Sequence, residues 1–138
     1  MNIAITGANS SAGSILLRHL ADQADIHVVA CVRSARAEAA LPTSPRISPR
    51  VIDYDDRKGL TSVLTGAGSV VHLAGILLES ATSTYETANV DATRAVVEAC
   101  KAAAVPHIVL VSVLGADPGT ANRFLRSKGL AERIVADS

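Results

Sequence analysis

Asn2-Ile3-Ala4-Ile5-Thr6-Gly7-Ala8-Asn9-Ser10-Ser11-Ala12-Gly13 decides the fold. An apolar strand ends in Thr-Gly, small residues follow, and a second glycine leads into the helical pattern Ser14-Ile15-Leu16-Leu17-Arg18-His19-Leu20. Strand, glycine turn and helix in this order open a dinucleotide-binding unit. Gly7 lets the chain turn sharply, and Gly13 lets the helix lie close to the sheet or to a cofactor. The helix N-terminus offers free backbone N–H groups and partial positive charge to a pyrophosphate. Ser10 stands where a middle glycine is usual, and its hydroxyl can donate to a phosphate. An ordinary strand-to-helix turn is the plainer alternative.

Outward from that turn, strands alternate with helices. Ile26–Val32 is a β-branched run and reads as the second strand. An alanine-rich piece and a loop with Pro42, Pro45 and Pro49 precede a short third strand at Arg50–Asp53. Asp55 or Asp56 caps a helix over about 58–64. Ser69–Gly75 is the fourth strand, and 84–104 reads as one long amphipathic helix. His107–Val113, an almost unbroken apolar run, reads as a central buried strand. A turn at Asp117-Pro118-Gly119 leads to a last helix over about 121–136. The pattern predicts one α/β domain over 1–138, a doubly wound, Rossmann-type parallel sheet. The chain reaches Ser138 on a helix where a further strand is expected, so C-terminal strands and a substrate domain are expected to be missing.

Composition agrees. Apolar residues make up 49% of the 138, and Tyr54, Tyr85 and Phe124 are the only aromatics, so the core must be aliphatic and alanine-rich. Thirteen basic residues balance thirteen acidic ones, which argues against nucleic acid and acidic membrane surfaces as partners. Cys31 and Cys100 read as buried free thiols, and the scattered histidines lack metal-ligand spacing. No basic leader precedes an apolar segment and no run has the length of a membrane span, so a soluble, cytoplasmic protein is expected.

A dinucleotide site that prefers NAD carries an acid at the end of its second strand, roughly 20 residues past the glycine turn. Here that position reads Cys31-Val32-Arg33-Ser34, with no acid before Glu38. Arg33 could take a 2′-phosphate through its guanidinium fork, with Arg36 assisting. NADP is therefore the expected cofactor, with NAD as the alternative.

Taken together, Thr6–Gly13, Asp53, His72-Leu73-Ala74-Gly75, Asn89-Val90-Asp91-Ala92-Thr93, Val111-Ser112, and Ser127-Lys128 with Glu132 resemble a short-chain dehydrogenase/reductase. The likeness is to the extended and atypical branches: nucleotide-sugar epimerase-like proteins and NmrA-like regulators and reductases. The resemblance implies that Gly7, Asn9, Ser10, Ser11, Ala12 and Gly13 hold the pyrophosphate. It implies that Asp53 accepts from the adenine amino group, and that Leu73, Ala74 and Gly75 line the nicotinamide. Asn89 resembles a helix asparagine near the active centre. Lys128 resembles the lysine that bonds the ribose, and Ser112 the serine that positions a substrate oxygen. The catalytic signature departs from the family at one point: its tyrosine, the general acid or base four residues before the lysine, is Phe124 here.

Two functions follow as expectations. One is an oxidoreductase or epimerase-like enzyme working on an unidentified small molecule without the usual tyrosine. The other is a non-catalytic dinucleotide-binding redox sensor or structural subunit. In the extended branch two helices often pair with a second copy, so the segments 84–104 and 121–136 are candidates for a homodimer contact.

Overall fold

Five short stretches can bury both faces only if they lie side by side between helices. The computed structural model, which describes residues 1–138, shows that arrangement. The strands are β1 (Asn2–Thr6), β2 (His27–Val32), β3 (Ile47–Val51), β4 (Ser69–His72) and β5 (Ile108–Leu110). All pair in parallel, in the order β3-β2-β1-β4-β5. The chain winds from β1 to β2 to β3, then crosses back to β4 on the other side of β1. The sheet order therefore reverses between β1 and β4, where open α/β sheets bind ligands.

The helices are α1 (Ser11–Ala21), α2 (Ala35–Ala39), α3 (Arg57–Leu64), α4 (Ala92–Ala102) and α5 (Arg123–Ala136). Side chains alternate across the sheet. Ile3, Ile5, Val28, Ala30 and Val32 meet Leu17 and Leu20 of α1 on one face. Ala4, Cys31 and Val70 meet Leu60 and Leu64 of α3 and Ala95, Val96 and Ala99 of α4 on the other. Both buried clusters are aliphatic, as the composition requires. Side chains cap the helices at their N-termini: Ser10, Ser34, Asp56 and Asn122 accept from N–H groups of α1, α2, α3 and α5. No helix is long and apolar enough to cross a membrane.

Several details differ from the sequence reading: α1 begins at Ser11, inside the glycine turn, and β4 and β5 stop at His72 and Leu110, short of Gly75 and Val113. β3 lies earlier than Arg50–Asp53 and runs through Pro49, which pairs with Ala30. Proline is tolerated there because β3 is an edge strand, where a missing N–H breaks no second ladder. β5 is also an edge, not a central strand; only β4 pairs with it, and Val109 and Val111 are 50% and 47% exposed. An apolar run reports the residue types of a strand but not its place in the sheet. The long helix expected over 84–104 opens as a π-helical segment, Glu86–Asp91, before α4 begins. The Thr93 hydroxyl donates to Asn89 O at 2.6 Å, occupying a carbonyl that regular α-helix would use.

Candidate functional site

A cleft of about 1270 Å³ opens at the C-terminal ends of β1 to β4. Gly7, Asn9 and Ser10 form its floor. Gly7 has φ of 72°, and a Cβ there would stand 2.6 Å from Ala74 N. The turn thus needs glycine both for its left-handed backbone and for its closeness to the chain leaving β4. A Cβ on Gly13 would meet Ala8 O at 2.5 Å, so α1 leaves the turn with no space between them. Ser10 Oγ accepts from Gly13 N–H at 3.0 Å. That bond uses a lone pair and leaves the hydroxyl hydrogen free to donate. The N–H groups of Ser11 and Ala12, in the first turn of α1, have no partner within the protein. Unpaired amides, a free hydroxyl and a helix N-terminus around a glycine floor fit a pyrophosphate.

The wall at the ends of β2 and β3 is made by Arg33, Ser34, Asp53 and Tyr54. Arg33 is exposed and takes part in no ion pair, so its guanidinium is unengaged. Arg36, on α2, does not line the cleft. Asp53 Oδ1 accepts from Asp55 N–H at 2.9 Å, which makes Asp53 a turn residue while it also faces the cleft. Leu73, Ala74 and Gly75, which follow β4 where the sequence reading had the strand continue, line the far wall. Their path is set by Asn89, whose Oδ1 accepts from Ile76 N–H at 2.8 Å and would lie 2.9 Å from a Cβ on Gly75. Asn89 is buried, and its carboxamide also donates to Ser127 Oγ at 2.9 Å.

Ser112, Phe124 and Lys128 do not line the cleft. Lys128 is buried and donates to Val111 O at 3.0 Å. Burial lowers the pKa of its ammonium, and Glu132 one turn on raises it. Ser112 Oγ is buried with no hydrogen-bond partner. The Phe124 ring tilts against Tyr85, centroids 5.7 Å apart. Tyr85 OH donates to Leu77 O at 2.9 Å, and Glu79 holds both the Tyr85 N–H and the Arg123 guanidinium. The phenylalanine slot is therefore filled by an aromatic pair that pins the loop after β4 to α5.

Sequence reasoning missed the polar residues behind the cleft. Thr6 and His72 end β1 and β4 side by side, and their side chains meet at 2.5 Å. His72 Nε2 lies 3.1 Å from Thr93 Oγ1. The available signal was a polar residue closing each of two apolar runs just before the glycine turn and Leu73-Ala74-Gly75. Burial, and then the positive charge of Lys128, pushes His72 down to about 4. Tyr54 stands edge-on to the imidazole, ring centroids 6.4 Å apart, and burial pushes its phenol up to about 12.

Residues 7–138 match the family model described as NAD(P)H-binding. No curated protein matches the chain. Solved structures of similar fold include three enzymes. UDP-glucuronic acid 4-epimerase from Bacillus cereus in complex with NAD is 22% identical, with a TM-score of 0.84 over 99% of this chain and 52% of that one. Uronate dehydrogenase from Agrobacterium tumefaciens is 22% identical, with a TM-score of 0.77 over 96% of this chain and 53% of that one. The oxidoreductase ylbE from Lactococcus lactis is 18% identical, with a TM-score of 0.76 over 96% of this chain and 61% of that one. The chain thus spans between about half and three-fifths of their lengths. At these identities the likeness is one of fold.

His72 makes stability depend on pH in a defined direction. Its folded pKa lies below the unfolded value of 6.5, so the unfolded chain binds the proton more readily. The folded state keeps its full margin above pH 6.5 and loses it as pH falls towards about 4; the loss from this residue is about 3 kcal/mol. Urea unfolding at pH 7 and pH 4.5 should show a larger drop for the parent than for His72→Gln, which cannot titrate.

Proposed function

The chain belongs to the NAD(P)H-binding family, as its short-chain dehydrogenase/reductase motifs imply, and from that premise we propose that it holds NADP(H) across the ends of β1, β2 and β4 and acts as an atypical oxidoreductase or epimerase-like enzyme. The observation that carries this reading is the Gly7 turn, with the unpaired Ser11 and Ala12 amides above a glycine floor. Arg33, unengaged on the cleft wall where an NAD site carries an acid, supports NADP over NAD. The second carboxylate oxygen of Asp53 is open to an adenine amino group. Leu73, Ala74 and Gly75 offer backbone groups at the opposite end.

Bound there, the nicotinamide supplies hydride transfer. The protein's part is to bind, orient and manage protons. Lys128 keeps two hydrogens after its bond to Val111 O, and Ser112 keeps a hydroxyl with no partner. These are the residues that the resemblance would assign to the ribose and the acceptor oxygen, but both lie outside the cleft lining, so the reading rests on the cofactor-holding turn and not on them. Phe124 has no proton to give, so the acceptors that fit are small carbonyl or quinone-like molecules that draw protons from water or a remote group. The same Phe124, turned against Tyr85 and away from the cleft lining, favours a second reading: a non-catalytic dinucleotide-binding redox sensor or structural subunit.

A homodimer is part of the proposal. The outer groove between α5 and the helical segment of residues 86–102 has an apolar floor of Val90, Val97, Leu130 and Ile134. Acids (Glu86, Glu98, Asp137) and bases (Arg94, Lys101, Arg133) share its rim, a pattern complementary to itself under two-fold symmetry.

Two measurements check these statements. Arg33→Ala should weaken NADPH by about 1.5–3 kcal/mol, the scale of a hydrogen bond to a charged group, and leave NADH nearly unchanged in a fluorescence titration. Sedimentation of the parent should show a dimer at high micromolar concentration, and Ile134→Glu, placing a charge on the partly exposed part of the groove floor, should shift it to monomer.

A further inference from the structure

The hydrogen positions along Thr6, His72 and Thr93 follow from the chemistry of their partners. Thr93 gives its one hydroxyl hydrogen to Asn89 O at 2.6 Å, so towards His72 it can only accept. His72 Nε2, 3.1 Å away, must therefore carry a hydrogen. In the neutral ring Nδ1 is then an acceptor, and it takes the hydrogen of Thr6 Oγ1 at 2.5 Å. Thr6, His72, Asn89 and Thr93 are at most 2% exposed, so water cannot stand in for any of these partners. A buried polar chain left unpaired at any point is costly, which makes the arrangement all-or-none.

The two ends of this chain lie at functionally different places. It begins on the residue before Gly7, in the floor of the cleft. It ends on Asn89, whose side chain holds both backbone groups of Ile76 and donates to Ser127 Oγ. Ser127 in turn donates to Phe124 O at 2.7 Å, in the first turn of α5. We propose that His72, in its neutral Nε2-protonated form, is a positioning residue that ties the Gly7 turn to Asn89, so that the phosphate end of the cleft and the first turn of α5 are set as one unit. This rests on the cleft being the dinucleotide site. The titratable groups that face His72 are Lys128 from α5 and Tyr54 from the loop after β3. A proton added to the ring would place an N–H against Thr6, reverse that bond and stand beside the Lys128 ammonium.

Thr93 tests the proposal because it lies outside the cleft lining and its hydroxyl bonds only His72 and Asn89 O, the two members of the proposed tie. Three forms of the full chain are compared at pH 7.5: parent, Thr93→Val and Thr93→Ser. Valine keeps the shape and removes the hydroxyl; serine keeps the hydroxyl. NADPH should bind Thr93→Val about tenfold more weakly, the size of one hydrogen bond, and Thr93→Ser within about twofold of the parent. The imidazole nitrogen spectrum of the parent should show the Nε2–H tautomer. The amide resonances of Gly7 and Ser127 should move together in Thr93→Val and stay in place in Thr93→Ser. Equal NADPH affinity in all three forms overturns the proposal, as does an Nδ1–H tautomer. If the parent binds neither NADPH nor NADH, the cofactor reading fails, and the resonances judge the positioning alone: joint movement supports it, movement confined to α4 overturns it. Should Thr93→Val not fold, Thr6→Val keeps the shape and removes the donor to His72 Nδ1, and the same two readings apply to it.

Discussion

No side chain can stand between Gly7 and the backbone of Ala74. This close approach, at the point where the sheet order reverses, sets the rest of the molecule. It brings the ends of β1 and β4 level, with Thr6 opposite His72 in the register. It aims the N-terminus of α1 across the sheet edge. It leaves an open cleft in front of the turn, bounded by the chain leaving β2 and β3 on one side and by Leu73 to Ile76 on the other. Behind the turn, the same register stacks Thr6, His72 and Thr93 into hydrogen-bonding contact. The front of this junction is shaped for a ligand and the back is closed by polar bonds.

The features legible in the sequence are local ones. Asn2 to Gly13 carries its own strand and glycine turn, and both appear where the residues place them; the helix begins earlier than the pattern from Ser14, at Ser11, with Ser10 as its cap. Arg33 was singled out for its place at the end of the second strand and Asp53 through the family resemblance, and both line the cleft. What was not legible depends on distant partners. The apolar run at Ile108 says strand, yet only pairing with β4 makes it an edge. Pro49 speaks against a strand until its position opposite Ala30 at the sheet's margin is known. The π-helical segment at Glu86–Asp91 has ordinary helix-forming residues, and its reason is a threonine bonded back to Asn89 within a buried network. His72 read as one of several scattered histidines because Thr6 and Thr93 lie 66 and 21 residues away in sequence.

Cofactor holding and proton transfer are unequally represented in this chain. The glycine turn and the start of α1 are local backbone features. Phe124, on α5, has its ring engaged with Tyr85 in a cluster that also carries the Arg123–Glu79 ion pair. The Arg123 guanidinium lies 5.9 Å from the Tyr85 ring centre, adding a cation–π contact to the same cluster. Phe124 adds packing and no acid–base group, and the Tyr85 phenol beside it is engaged on Leu77 O. Asn89 and Ser127 nonetheless keep the first turn of α5 tied to the wall of the cleft.

The central claim is that the Gly7 turn and the start of α1 receive the pyrophosphate of a nicotinamide dinucleotide. Amide resonances of the isotope-labelled chain, followed during titration with NADPH, test it most directly. The account predicts the largest movements at Gly7, Ser11 and Ala12, smaller ones at Arg33 and Ala74, and none in the outer groove at Arg94 and Arg133. Unmoved Ser11 and Ala12 amides at saturating NADPH, or movements gathered in the groove between α4 and α5, would contradict it.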